Sequence, residues 1–180
     1  MALVYFCHDR EFIWGPRGFS SVEEMNEVIL QKHNLITAPK DDVFVLGDLM
    51  LNDNEKAIQY IKQMNGKLHI ALGNHDTSAR EELYKNLPNV VDVRDVYKIK
   101  YNKYNFYLSH YPTMTGNLEA ESLHQVFINI YGHTHQQTSF YEDRPYMFHA
   151  GMDSNDCWPV KLDTVIEKCK IKVEECIKML

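Results

Sequence analysis

A chain of 180 residues with 44% hydrophobic side chains can bury one core, and it reads as a single domain over residues 1–180. It has no apolar run near the ~18 residues that span a bilayer, and its start lacks the charged, apolar and small-residue succession of a secretory leader. With no such span no membrane association is expected; the net charge of -6 argues against stable nucleic-acid binding, but leaves a small phosphorylated substrate open because bound divalent cations invert the local charge.

Residues 2–6 form a short apolar run that reads as a first strand, and Trp14-Gly15-Pro16-Arg17-Gly18 is a loop by its chain breakers. Ser20 with Glu23, and Ser21 with Glu24, each offer a capping box. Val22, Met25, Val28 and Ile29 then recur at helical spacing until the break before Pro39. Asp41-Asp42 leads into the strand Val43-Phe44-Val45-Leu46. A helix is expected over about residues 54–65, with Ala57, Ile58, Ile61 and Met64 on one side and Gly66 to end it. It would join that strand to Leu68-His69-Ile70-Ala71-Leu72 as a right-handed parallel crossover. A shorter helix is expected over residues 78–87, stopped by Pro88.

From Val90 the pattern turns to alternation. Val96-Tyr97-Lys98-Ile99 and Tyr104-Asn105-Phe106-Tyr107-Leu108 read as an antiparallel hairpin, and residues 116–125 as a loop and short helix. Thr138-Ser139-Phe140-Tyr141 and Tyr146-Met147-Phe148-His149 flank a turn and read as a second hairpin. Asp163 or Thr164 is expected to cap a closing helix with the stripe Val165, Ile166, Cys169, Val173, Cys176 and Ile177. A crossover followed by antiparallel strands predicts an α/β fold, a four-layer α/β/β/α sandwich of two mixed sheets flanked by helices. Cys7, Cys157, Cys169 and Cys176 form no Cys-x-x-Cys pair, so a reducing cytoplasm is the expected home.

Four of the apolar runs end in residues that ligate cations or move protons. Leu46 is followed by Gly47-Asp48, Leu72 by Gly73-Asn74-His75-Asp76, Leu108 by Ser109-His110, and Tyr131 by Gly132-His133-Thr134-His135. In open α/β sheets the carboxyl ends of the strands share one edge, where ligands bind, so these side chains are expected to converge. A carboxamide oxygen takes a hard cation, an imidazole shuttles a proton, and a carboxylate fixes the imidazole's tautomer. Singly, each motif has a plainer reading: Gly-Asp is commonly a turn, and Asn after Gly commonly a cap. Their joint occurrence in order points to metal-assisted hydrolysis.

With these motifs the chain resembles the calcineurin-like metallophosphoesterases. It is similar to a small bacterial and phage subgroup through Phe6-Cys7-His8, the segment Arg17-Gly18-Phe19-Ser20-Ser21-Val22-Glu23-Glu24-Met25-Asn26, and Gly151-Met152-Asp153. The resemblance implies that Asp48 bridges two metal ions and that Asn74, His110 and His133 complete the shell of one. It implies that His135 belongs to the other, together with an Asp-x-His after the first strand. His75 is implied as the catalytic histidine and Asp76 as its orienting carboxylate. The activity implied is hydrolysis of a phosphomonoester or phosphodiester by a metal-bound hydroxide, with His75 as general acid. The mixed nitrogen and oxygen ligand set suits divalent transition metal ions, Mn2+ foremost and Fe, Zn or Ni besides.

The Asp-x-His itself is missing. Counting back without gaps from Arg17 and His8 sets its places at Leu3 and Tyr5; alternatively Asp9 and Glu11 take them, with a deletion before Arg17. The gapless register is preferred, because Phe6-Cys7-His8 then falls where the subgroup has its own Phe-x-His. One metal site is therefore expected to be tight and a second weak or absent, with reduced activity. A relative that binds metal or a phosphorylated ligand without turnover is the alternative. Among the other groups, His69 reads as structural and His33 and His124 as solvated, and His149 as a group at or beside the cleft. His8 and Arg17 are candidates for phosphate contact, and Arg17 equally for fixing a loop.

Overall fold

Alternating apolar side chains build the first sheet of the computed structural model, which describes residues 10–115 and 122–178. Strands β1 (Asp42–Leu46), β2 (Lys67–Ala71) and β3 (Val90–Arg94) lie parallel in that order, with Val43 opposite Leu68 and Val45 opposite Ile70. Neighbouring side chains in a strand point to opposite faces, so these four share one side. After the short α1 (Glu11–Trp14), α2 (Val22–Ile36), α3 (Asn54–Ile61) and α4 (Ser78–Lys85) bury Met25, Ile29, Ala57, Ile61 and Tyr84 against that side. Phe44, Leu46 and Ala71 turn the other way, into a second apolar cluster.

That cluster is centred on the second sheet, β4 (Val96–Tyr101), β5 (Tyr104–Ser109), β6 (Phe127–Tyr131) and β7 (Met147–His149). The β4–β5 pair is antiparallel and the other two pairs are parallel. Asn102 and Lys103 take φ of 46° and 71° between the paired Tyr101 and Tyr104, the two-residue turn whose twist suits a hairpin. Phe106, Leu108, Ile128, Ile130 and Phe148 pack with Val165, Ile166 and Cys169 of α5 (Leu162–Lys178). The outcome is a mixed α/β fold of two sheets flanked by helices; the first sheet is parallel throughout among the described residues. Among those residues no helix is long and apolar enough to cross a membrane.

Several expectations shift on folding. The strand expected over residues 2–6, with Leu3, Tyr5, His8 and Asp9, lies outside the described residues, as does most of the expected loop at 116–125. Ser21 caps α2 by accepting from the Glu24 N–H, while the Glu24 carboxylate takes the N–H of Ser20, one residue further back than a capping box requires. Helix α3 stops at Ile61, because Gln63 and Met64 donate to the carbonyls of Tyr60 and Ile61 in tighter turns that run into Gly66 at φ +100°. The second hairpin does not form. Phe140 makes a single bridge to Phe148, and β7 pairs parallel with β6 instead, while the Gln136 amide gathers the carbonyls of Thr138 and Phe140.

Two polar residues also correct the sequence reading. α5 begins at Leu162, so Asp163 sits within its first turn, where it accepts from the Tyr101 hydroxyl and the Asn102 amide rather than capping. His33 is wholly buried, with Nε2 bonded to the Asn65 carbonyl at 2.8 Å, and burial lowers its pKa. It is a neutral core histidine, not a solvated one.

Candidate metal centre

The turn after each strand delivers its side chain only because the backbone there can crowd together. At Gly47, φ +86°, a Cβ would meet Gly73 N and His110 Nδ1, each at 2.6 Å. At Gly73 a Cβ would run into the Asp48 carboxylate and come within 2.8 Å of the Asp48 backbone nitrogen. The two glycines let the ends of β1 and β2 touch, and any side chain would separate them. Asp48, His133 and His135 themselves take φ of 54°, 60° and 48°, in the left-handed region that non-glycine residues seldom occupy.

The side chains so delivered meet around one atom. His110 Nδ1 lies 2.7 Å from the Leu46 carbonyl, and since a carbonyl only accepts, Nδ1 carries the proton. In the neutral ring Nε2 then holds a lone pair. Within reach of it are Asn74 Oδ1 at 2.8 Å, His133 Nδ1 at 3.0 Å and Asp48 Oδ2 at 3.3 Å. Asp48, His110 and His133 offer ligand atoms all within 4.8 Å of one another. Four groups rich in lone pairs turned on one point repel each other unless a cation or proton stands among them. Burial, and then the neighbouring His110, lower the pKa of His133, which favours the neutral ring that ligation needs. This donor set, two imidazoles, a carboxylate and a carboxamide oxygen, fits a divalent transition metal ion.

His135 does not join that cluster. It lines the same cavity of about 200 Å3 as Asp48, Asn74, His75, His133, Phe12, Ile13 and Leu51, but its Nδ1 lies 3.1 Å from Asp153 Oδ2. Asp153 in turn receives a two-pronged ion pair from Arg17, with Nε and Nη2 each 2.8 Å from a separate carboxylate oxygen. Burial opposes the Asp153 charge, yet the bonds from His135 and Arg17 prevail and hold its carboxyl well below the usual range. Arg17 thus fixes a loop, one of its two expected uses. A larger cavity of about 560 Å3 lies at the amino ends of β1 and β2, lined by Asp42, Phe44 and His69 among others. It holds none of the expected site residues, and convergence of ligand atoms is better grounds than volume. His69 there is structural, flanked by Asp92 at 2.6 Å and Asp42 at 3.2 Å.

Asp76 corrects the sequence reading. Its Oδ2 accepts the N–H groups of Asp48 at 2.7 Å and Gly73 at 2.8 Å, and its Oδ1 takes the Tyr84 hydroxyl at 2.5 Å. Instead of orienting the His75 imidazole, the carboxylate ties the ends of β1 and β2 together. The backbone holds His75: its N–H donates to Asp48 Oδ1 at 2.8 Å, and its carbonyl accepts from Arg80, whose Nε also reaches Asn54. Tyr84 and Arg80 went unread in the sequence. Their only local sign is that α4, beginning two residues after Asp76, must present something back to the loop it leaves. His149, expected at or beside the cleft, is buried and bonded to Ser154 Oγ at 2.8 Å, and it is not among the residues that line this cavity.

Comparison with known proteins bears on the family and the fold. A model of the calcineurin-like phosphoesterase superfamily domain matches residues 26–157. An uncharacterized protein of Methanocaldococcus jannaschii is 28% identical over 177 residues, covering 93% of this chain and 90% of its own. The crystal structure of a protein of unknown function from Aquifex aeolicus superposes with a TM-score of 0.67 at 21% identity, covering 93% of this chain and 97% of that one. A novel archaeal phosphodiesterase superposes with a TM-score of 0.52 at 17% identity, covering 83% and 82%. At such identities the two structures speak for the fold alone.

Proposed function

Because the chain belongs to the calcineurin-like phosphoesterase superfamily, we propose that it is a metal-dependent phosphoesterase acting on a small phosphomonoester or phosphodiester. The observation that carries this reading is the meeting of Asn74 Oδ1, His133 Nδ1 and Asp48 Oδ2 around His110 Nε2. These four residues would hold one ion tightly, Mn2+ foremost, and His135 with Asp48 would serve a second, weaker position. A bound ion supplies Lewis-acid polarisation of the phosphoryl oxygen and a lowered pKa for an attacking water.

The chain's own residues do the rest. Asp48 Oδ1 and Arg80 grip the backbone of His75 on either side, so its ring stays at the wall of the cavity, in place to protonate the leaving oxygen. The cavity is smaller than the ~300–1,000 Å3 typical of ligand pockets, which suits a substrate gripped chiefly by its phosphoryl end. Hydrolysis of bis-p-nitrophenyl phosphate and p-nitrophenyl phosphate with added Mn2+ tests the reading. Turnover should require the metal, and His75→Ala should lower kcat by roughly 10²–10⁴. Unchanged activity in that variant would remove His75 from the chemistry. Absence of turnover with Mn, Fe, Zn or Ni would favour the second reading, a relative that binds without hydrolysis. That reading draws support from His135, which stands apart from the main cluster.

A further inference from the structure

His135 has two neighbours for one ring nitrogen. Nδ1 lies 3.1 Å from Asp153 Oδ2 and 3.5 Å from Arg17 Nη2. Facing the carboxylate, Nδ1 must donate; facing the guanidinium, which has no acceptor, it would have to accept. The carboxylate distance is within the usual range for an N–H donor and the guanidinium distance is beyond it, so Nδ1 carries the proton. Asp153 cannot swing away, because both its oxygens are engaged by Arg17 and the two side chains are only 8% and 4% exposed. With the proton on Nδ1, the lone pair of the neutral ring sits on Nε2, in a residue that lines the cavity.

We propose that Asp153, braced by Arg17, is a positioning residue that locks His135 in the Nδ1-protonated tautomer so that Nε2 can ligate the second cation. This rests on the phosphoesterase reading above. It also accounts for two oppositely charged residues 136 positions apart being buried as a pair beside the site. Outer carboxylates of this kind are worth about 10–100-fold in metal affinity.

The tautomer can be read without metal. Long-range 1H–15N correlation spectra of the wild-type protein, at a pH where the ring is neutral, should give His135 the shifts of an Nδ1–H imidazole. The Nε2–H form would overturn the proposal, and this measurement needs no variant to fold. Calorimetric titration with Mn2+ then supplies the second arm. Asp153→Asn should weaken the second class of sites about 10–100-fold and leave the tight class intact, and Asp153→Asn with His135→Ala should lose no more than His135→Ala alone. A second class unaffected by Asp153→Asn, or missing from the wild type, sinks this inference while the tight class still stands. A wild type that takes up no cation at all sinks the phosphoesterase reading as well, at a cluster in which Asp153 has no part.

Discussion

Removing one oxygen atom from Tyr84 should unsettle the centre from below. Tyr84 is wholly buried; its hydroxyl donates to Asp76 Oδ1 at 2.5 Å and accepts the Met50 N–H at 3.1 Å. Tyr84→Phe keeps the ring and opens no cavity worth the name, so the loss belongs to those two bonds. A hydrogen bond to a charged group contributes about 1.5–3 kcal/mol, and a stranded buried N–H costs about 1–3 kcal/mol. Both share one oxygen, and Asp76 keeps its two backbone donors, so a total near the lower end, about 3 kcal/mol, is expected. Burial, and then the Asp76 charge, hold the phenol far above the ordinary tyrosine range, so it donates throughout the accessible pH range. Urea unfolding of the metal-free protein is the assay. With a slope of about 2 kcal/mol per molar, the midpoint should fall by roughly 1.5 M with the slope unchanged. A fall under about 0.5 M, equivalent to about 1 kcal/mol, would refute the claim that Asp76 and Tyr84 bind the strand ends together.

Other expectations follow from the same contacts. Gly73→Ala drives a methyl group into the Asp48 carboxylate; displacing that ligand by about 1 Å should lower kcat/KM roughly 10²-fold, and an unimpaired variant would mean that the turn yields freely. Burial depresses the His149 imidazole from its ordinary 6.5 to about 4. The unfolded chain therefore takes up this proton first as pH falls, so the stability that neutral His149 contributes is whole above pH 6.5 and lost towards pH 4. The loss is about 3 kcal/mol. The stability difference between wild type and His149→Gln, measured by urea unfolding, should shrink by that amount between pH 7 and pH 4, and a constant difference would refute it. Mn2+ at 100 times its Kd should stabilise the wild type by about 2.7 kcal/mol in the same assay. His110→Ala should abolish that gain, and a surviving gain would place the ion elsewhere.

The main lines were legible because the signals were local and repeated. Period-two burial in Val43 and Val45, and again in Leu68 and Ile70, marks a strand with one face to the helices. Glycine directly after an apolar run announced the tight turns that bring Asp48 and Asn74 to His110. What was misread depends on partners distant in the chain. The hairpin expected before His149 lost to the parallel pairing of β7 with β6, a competition that alternation alone does not decide. Asp76 follows His75 in sequence, yet its acceptor capacity goes to backbone 28 residues earlier and to Tyr84. Arg17 and Asp153 each belonged to recognisable segments, but nothing local announces that they are partners.

The left-handed backbone at Asp48, His133 and His135 bears on how the centre persists. Each such residue gives up about 1 kcal/mol or more relative to a conformation it would choose freely. Glycine would occupy that region at no steric cost, so what keeps a carboxylate and two imidazoles there is what their side chains do. Breeding or engineering this protein for thermal endurance alone would therefore drift toward erasing its ligands, so any stabilising library needs metal retention as a parallel screen.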